Sequence, residues 1–180
     1  MIVLTGVAGA GKSMQGKLLA DEHGYAWISS GEIFRVLVTG KRRQEMLEGK
    51  LLSDDEVIRI FDKVFDLIDV EEEFVLDGFP RTIPQADWLL GQVHKGRFSL
   101  SGIIHLAASE EVVRDRLMAR GRQDDTEAAI AKRFEEYRTA TLPILEHFKK
   151  EGVAICDIDA SKGPREVHDD ILRCIDSKKA

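Results

Sequence analysis

The sequence predicts a three-layer α/β fold, a five-stranded parallel sheet with helices on both faces, and three observations carry that prediction. Five short apolar runs, beginning at Ile2, Tyr25, Phe74, Ile103 and Val153, are separated by stretches of helical periodicity, and strands alternating with helices pair in parallel through crossovers. Several runs are apolar at successive positions, as in Ile2-Val3-Leu4 and Phe74-Val75-Leu76, which suits strands covered on both faces. The first run breaks at a glycine-rich turn that leads directly into a helical pattern.

That turn is the most informative stretch. Gly6, Gly11, Lys12 and Ser13 fill every fixed place of the G-x-x-x-x-G-K-[ST] phosphate loop. Gly6, Gly9 and Gly11 let successive backbone N–H groups converge on one anion. The helix from about Gly11 to His23, closed by Gly24, aims its positive end at the same point. Lys12 adds a mobile charge for β- and γ-phosphates, and Ser13 offers a hydroxyl to Mg²⁺. The loop is built for a nucleoside triphosphate.

Tyr25 to Ser29 reads as the second strand, with Ser30 as the N-cap of a helix through Arg35. Residues 40–50, rich in charge and bracketed by Gly40 and Gly49, predict a small exposed insertion. Ser53 and Glu56 form a capping box, and Val57, Ile60, Phe61, Val64, Phe65 and Ile68 give the helix behind it an apolar stripe. Phe74 to Leu76 is the third strand, ending at Asp77 and the turn Gly78-Phe79-Pro80-Arg81. A helix from about Pro84 to Val93 follows, with proline tolerated in its first turn. Ile103 to Leu106 is the fourth strand, and Ser109 caps a helix through Val112, Val113, Leu117 and Met118. One long amphipathic helix is expected from about Asp124 to Lys150, bent near Pro143. Val153 to Cys156 is the fifth strand, and a last helix runs from about Pro164 to Asp176. Ligands of such sheets sit at the carboxyl ends of the strands, which gathers the phosphate loop, Ser30 to Arg35, and Asp77 to Arg81 at one edge.

At 180 residues and 43% hydrophobic the chain can bury one core, so residues 1–180 form a single domain with small insertions. A net charge of −6 argues against nucleic acid as an obligatory partner. No apolar run reaches the length of a membrane span, and the first strand has no basic region ahead of it, so no membrane partner is expected and the cytoplasm is the expected compartment. Cys156 and Cys174 lack a C-x-x-C spacing, so no zinc site is expected and both read as buried thiols. His23, His94, His105, His147 and His168 read as structural or solvated.

Three clusters outside the loop carry charge. Asp77 at the end of an apolar strand can orient Mg²⁺ or its waters, and Arg81, one turn later, can grip a phosphate. Arg116 and Arg120 share a helix face, with Arg122 just beyond and Arg133 further along the chain. Taken alone, these also suit a surface ion pair and solvated helix charge.

Together these residues resemble the adenylate kinase family, within the nucleoside monophosphate kinases. The resemblance runs through Gly6 to Lys12 with Gln15, Ser30-Gly31-Glu32-Ile33-Phe34-Arg35, Gly49-Lys50-Leu51-Leu52-Ser53-Asp54, and Asp77-Gly78-Phe79-Pro80-Arg81-Thr82-Ile83-Pro84-Gln85. It continues in Arg116 to Arg120, Arg122-Gln123-Asp124-Asp125, Arg133, and Tyr137 to Pro143, covering nearly the whole chain. It implies a P-loop NTPase core with a helical NMP-binding insertion at about 30–53 and a vestigial lid at about 120–123. The implied reaction is the reversible, Mg²⁺-dependent transfer of the γ-phosphoryl of ATP to AMP, giving two ADP.

The resemblance also implies roles. Gly9, Ala10, Gly11, Lys12, Ser13 and Met14 would bind ATP, with Arg116 and, in the adenine-contacting loop, Lys162. Ser30, Gly31, Arg35, Gly78, Arg81, Gln85, Arg122 and Arg133 would bind AMP, Gln85 reading the adenine edge and Ser30 facing the base. Lys12, Arg81, Arg116, Arg120, Arg122 and Arg133 would be the catalytic charges. Mg²⁺ would be held by Ser13 and by waters on Asp77. The chemistry agrees, because a phosphate oxygen of AMP is already anionic and needs alignment and charge neutralisation rather than a general base. A UMP/CMP kinase, or a nucleotide-sensing module without turnover, are the alternatives.

The chain departs from the family at Ala8, where proline is usual, and at Ser13-Met14, where glycine-threonine is usual. A single residue, Gly121, stands between Arg120 and Arg122, so no hinged cover over ATP can be built there. Weaker ATP binding or more wasted hydrolysis is expected, unless a second copy of the chain covers the site.

Overall fold

The computed structural model describes residues 1–47, 52–122 and 125–177. Five strands, β1 (Ile2–Thr5), β2 (Ala26–Ser29), β3 (Phe74–Asp77), β4 (Gly102–Ala107) and β5 (Ile155–Asp159), form one parallel sheet in the order β2-β3-β1-β4-β5. The predicted fold class is the observed one. With β1 central and its neighbours β3 and β4 on opposite sides, the connections diverge above its carboxyl end and open a crevice there.

Helices α1 (Lys12–His23), α2 (Ser30–Leu37), α3 (Gly40–Leu47), α4 (Asp54–Phe65), α5 (Ile83–His94), α6 (Glu110–Arg120), α7 (Glu127–Glu136), α8 (Leu142–Lys150) and α9 (Pro164–Ser177) surround the sheet. Alternate strand residues face opposite ways and so build two cores. Ile2, Leu4, Val75, Ile104 and Leu106 pack with α1, α6, α7 and α9 through Leu19, Val113, Leu117, Ile130, Phe134 and Ile171. Val3, Phe74, Leu76 and Ile103 pack with α4, α5 and α8 through Phe61, Phe65, Leu89, Ile144 and Phe148. No described helix is long and apolar enough to cross a membrane.

Several local expectations change. The capping box at Ser53 and Glu56 forms as read, but Ile68 lies past the end of α4. Ser30 is the first residue of α2 rather than its cap: Ser29 takes the cap position without a side-chain bond, and the Ser30 hydroxyl donates to Gly78 O at 2.9 Å instead. The single helix over 124–150 is three pieces, because a π-helical turn, Tyr137–Thr141, separates α7 from α8 and places Pro143 in the first turn of α8. A π turn admits an extra residue, and it carries the chain from the core that holds α7 to the core that holds α8. The fifth strand begins two residues later than expected. It is an edge strand with alternating burial, so Asp157 and Asp159 point out while Cys156 and Ile158 point in.

The two cysteines are joined as a disulfide, correcting the expectation of separate thiols. The cause is tertiary, since α9 packs back over β5 and brings their Cα atoms to 6.5 Å. Within the expected insertion α2 and α3 are helical; Gly49, Lys50 and Leu51 lie outside the described residues, as do Gln123 and Asp124 of the short lid segment.

Candidate active site

The site grows from the end of β1. Gly6 has φ +138°, and a Cβ there would stand 2.4 Å from Leu106 O of the neighbouring β4, so only glycine lets the loop leave the sheet so close to that strand. α1 has Gly11 at its cap position and so no side-chain cap, whereas α4, α5, α6 and α7 are capped by Ser53, Thr82, Ser109 and Thr126. Its first N–H groups are thus left for an anion. Lys12 Nζ sits inside the loop, donating to Gly6 O at 2.7 Å and Val7 O at 2.9 Å. Burial lowers the Lys12 ammonium from 10.5 to about 8; Asp77 works against that, while Arg81, Arg120 and Arg133 add to it. Those four partners map the charged wall of the cleft.

Register places Asp77 beside Leu4 at the end of β3, and there its Oδ2 accepts from Ser13 Oγ at 2.8 Å. A hydroxyl and a carboxylate side by side are hard oxygen donors that suit Mg²⁺. Met14 follows on the exposed side of the same turn, 53% accessible.

A second pocket wall forms where β3 turns into α5. Gly78 has φ +75°, and a Cβ there would lie 2.6 Å from Ser30 Oγ and 3.1 Å from Arg81 Nη2. Arg81 donates through Nε to Gly78 O at 2.7 Å and through Nη2 to Ser30 Oγ at 3.1 Å. It lies in the field of Asp77, Glu136, Arg133 and Arg35. Arg35 bonds Glu32 at 2.5 Å, and a Cβ on Gly31 would reach the Arg35 guanidinium at 3.4 Å. The Arg35 hydrogen bond holds the Glu32 carboxyl below its usual range against burial, with Arg122 and Lys17 contributing from further away.

Gln85 is buried, and both ends of its amide are engaged. Its Oε1 accepts from Arg81 N at 2.8 Å, and its Nε2 donates to Asp54 Oδ1 at 2.7 Å. Thr82 Oγ1 donates to the same Asp54 oxygen at 2.7 Å. The amide keeps one lone pair and one hydrogen for another partner.

The remaining arginines divide. Arg120 and Arg133 meet on Asp125, whose side chain is fully buried. Arg120 Nε donates to Oδ2 at 2.8 Å and Nη2 to Oδ1 at 2.5 Å, Arg133 Nη1 to Oδ1 at 2.9 Å, and Arg122 N to Oδ2 at 3.2 Å. Burial pushes the Asp125 carboxyl up, but the bonds from Arg120 and Arg133 prevail and lower it from 3.8 to about 2. Arg116, one helical turn before Arg120, points elsewhere: Nη1 donates to Ala160 O at 2.7 Å and Nη2 to the carbonyls of Ser161 and Lys162, each at 3.4 Å. Lys162 Nζ pairs with Asp170 at 2.7 Å.

Of the residues singled out from sequence, the structure brings together Lys12, Ser13, Asp77, Arg81, Arg120 and Arg133. Ser30, Gly31, Arg35 and Gly78 adjoin them, and Arg116 joins Lys162 away from the cluster rather than within it. Sequence reasoning assigned no role to Asp125 or Asp54, which hold two arginines and a glutamine in place. The visible signal was an acidic residue just ahead of an α-helix, in a stretch otherwise rich in arginine.

A phosphate loop on the first strand of a parallel sheet, facing the half-buried Lys12 and Arg133, the more exposed Arg81 and Arg120 and a small helical insertion, is the build of a P-loop nucleotide phosphotransferase. A family model described as adenylate kinase matches residues 4–153. An adenylate kinase of Corynebacterium aurimucosum is 36% identical over 179 residues, covering 96% of this chain and 97% of that protein. One from Corynebacterium urealyticum is 34% identical over 181 residues, covering 97% and 98%, and one from Nitrobacter hamburgensis 32% identical over 191 residues, covering 97% and 91%. The chain belongs to the adenylate kinase family.

Proposed function

We propose that the chain catalyses the reversible transfer of the γ-phosphoryl of ATP to AMP, giving two ADP. The observation that carries this reading is that Asp77, Arg81, Arg120 and Arg133 all lie within electrostatic reach of Lys12 in the phosphate loop. Two nucleotides meeting there present crowded anions, and preorganised cations neutralise the charge that the transfer develops.

In this reading the amides of Gly9 to Met14, with Lys12, hold the ATP phosphates, and the loop joined by Arg116 and Lys162 lies under the adenine. Arg35 and Arg81 hold the AMP phosphate, Ser30, Gly31 and Gly78 shape its pocket, and Gln85 reads the base with its remaining donor and acceptor. Arg120, Arg122 and Arg133 flank the moving group. Ser13 Oγ and waters on Asp77 would hold Mg²⁺, which when bound offsets phosphate charge. The substrates are metabolites of the cytoplasm, and the activity is proposed for that compartment.

A coupled assay of ADP formation with AMP, UMP and CMP as acceptors tests the reading. AMP is expected to be the preferred acceptor, and Lys12→Ala and Arg81→Ala each to lose at least about a hundredfold in turnover. Preference for a pyrimidine acceptor, or normal turnover in either variant, would overturn it.

A further inference from the structure

At the far end of α1, roughly 16 Å of helix from Lys12, two imidazoles and a carboxylate gather. Glu22, His23 and His168 each offer a ligand atom within 4.8 Å of the other two. His168 lies on α9 and is 1% exposed. Its Nδ1 faces Gln15 Oε1 at 3.0 Å and its Nε2 faces Glu22 Oε2 at 3.0 Å.

The tautomer follows from Gln15. Its Nε2 donates to Pro164 O at 2.8 Å, so its oxygen is the end turned to His168 and can only accept. Nδ1 therefore carries a proton, and Nε2 is the nitrogen turned to the Glu22 carboxylate, which accepts any hydrogen Nε2 carries while no metal is bound. An imidazole whose Nδ1–H is held by an acceptor, leaving Nε2 as the nitrogen that can ligate, has the orientation used in metal sites.

We propose that Glu22 Oε2, His23 and His168 Nε2 form a site for a divalent transition metal, with a water completing four-coordination. Two imidazoles and one carboxylate favour Zn²⁺ and exclude a preference for Mg²⁺ or Ca²⁺. Tetrahedral ligands at zinc stand roughly 3.3 Å apart, so the His168 and Glu22 atoms are already close to spacing, and the exposed His23 closes the site by a rotamer change. Arg165 holds the other Glu22 oxygen, leaving one for the metal. Any proton on His168 Nε2 leaves to solvent as the metal takes its lone pair. A metal there clips the end of the phosphate-loop helix to α9.

The test uses the full chain without an affinity tag, titrated with Co²⁺ and read in the visible, with thermal unfolding in Zn²⁺ as a second readout. The wild type is expected to bind one Co²⁺ with tetrahedral d–d bands that Zn²⁺ displaces, and to melt higher in Zn²⁺ but not in equal Mg²⁺. His23→Asn and Glu22→Gln should lose both the bands and the shift, while His23→Asn, exposed as it is, melts normally without metal. Absence of the bands in the wild type, their persistence in either variant, or thiolate charge-transfer bands marking cysteine ligation would overturn the proposal.

Discussion

Replacing Asp125 with asparagine keeps the shape of the side chain and removes the charge on which Arg120, Arg122 and Arg133 converge. The carboxyl is lowered from 3.8 to about 2, and since its side chain has no solvent exposure that difference converts to about 2 kcal/mol of stability. A carboxyl depressed on folding contributes fully above its unfolded value and loses the contribution as pH falls toward the folded one. Urea unfolding followed through Trp27 and Trp88 should therefore show the wild type about 2 kcal/mol more stable than Asp125→Asn near neutrality, the difference closing between about pH 4 and about pH 2. Arg120 and Arg133, 33% and 22% exposed, would relax toward water, and misplacing such groups by an ångström costs about a hundredfold in rate. ADP formation at saturating substrate should fall by that order. A stability difference that persists unchanged to pH 2, or normal turnover in the variant, would refute this account of how the arginines are held.

Lys12, lowered to about 8, is charged below that value, so ATP affinity measured by titration calorimetry should weaken as pH rises through about 8; Lys12→Arg should remove that dependence, and a flat wild-type profile would count against it. Gly78→Ala forces a Cβ to 2.6 Å from Ser30 Oγ at φ +75°, and should cost about 1–3 kcal/mol of stability and raise KM for AMP more than KM for ATP. The short connection after Arg120 should show as phosphate release alongside ADP formation in one assay, at a higher ratio than in a relative with a long lid; equal fidelity and ATP affinity would remove that expectation, and loss of fidelity on dilution would point to cover by a second copy.

The parallel sheet was legible because its central strands carry runs of successive apolar residues, Ile2-Val3-Leu4, Phe74-Val75-Leu76 and Ile103-Ile104, and the loop after β1 because a glycine–lysine–serine pattern has few other uses. Edge strand β5 was misplaced for the opposite reason: Asp157 and Asp159 alternate with Cys156 and Ile158, and a search for a continuous apolar run stops before them. Asp125 and Asp54 fall within the motifs that carry the resemblance but received no role, because neither is a ligand in its own right. Their work is to fix Arg120, Arg133 and Gln85, and contacts of that kind exist only after the chain has folded. Arg116 and Arg120 share a helix face in sequence, yet one turn of rise was enough to send the first to the 160–162 carbonyls and the second to the cleft. The meeting of Cys156 and Cys174 depended likewise on where α9 came to rest.

The π turn at Tyr137–Thr141 has a mechanical consequence. Tyr137 is pinned through its hydroxyl to His105 Nε2 at 2.6 Å, and His105 Nδ1 to Asp157 at 2.7 Å, so the pivot between α7 and α8 is bolted to β4 and β5. Arg133 stands one turn before the pivot, while Ile144 and Phe148 sit beyond it, on the reverse side of the sheet. A lever with a fixed fulcrum transmits what is done to either arm. Trimming Phe148 should thus lower the rate of ADP formation although that ring packs in the core across the sheet from α7.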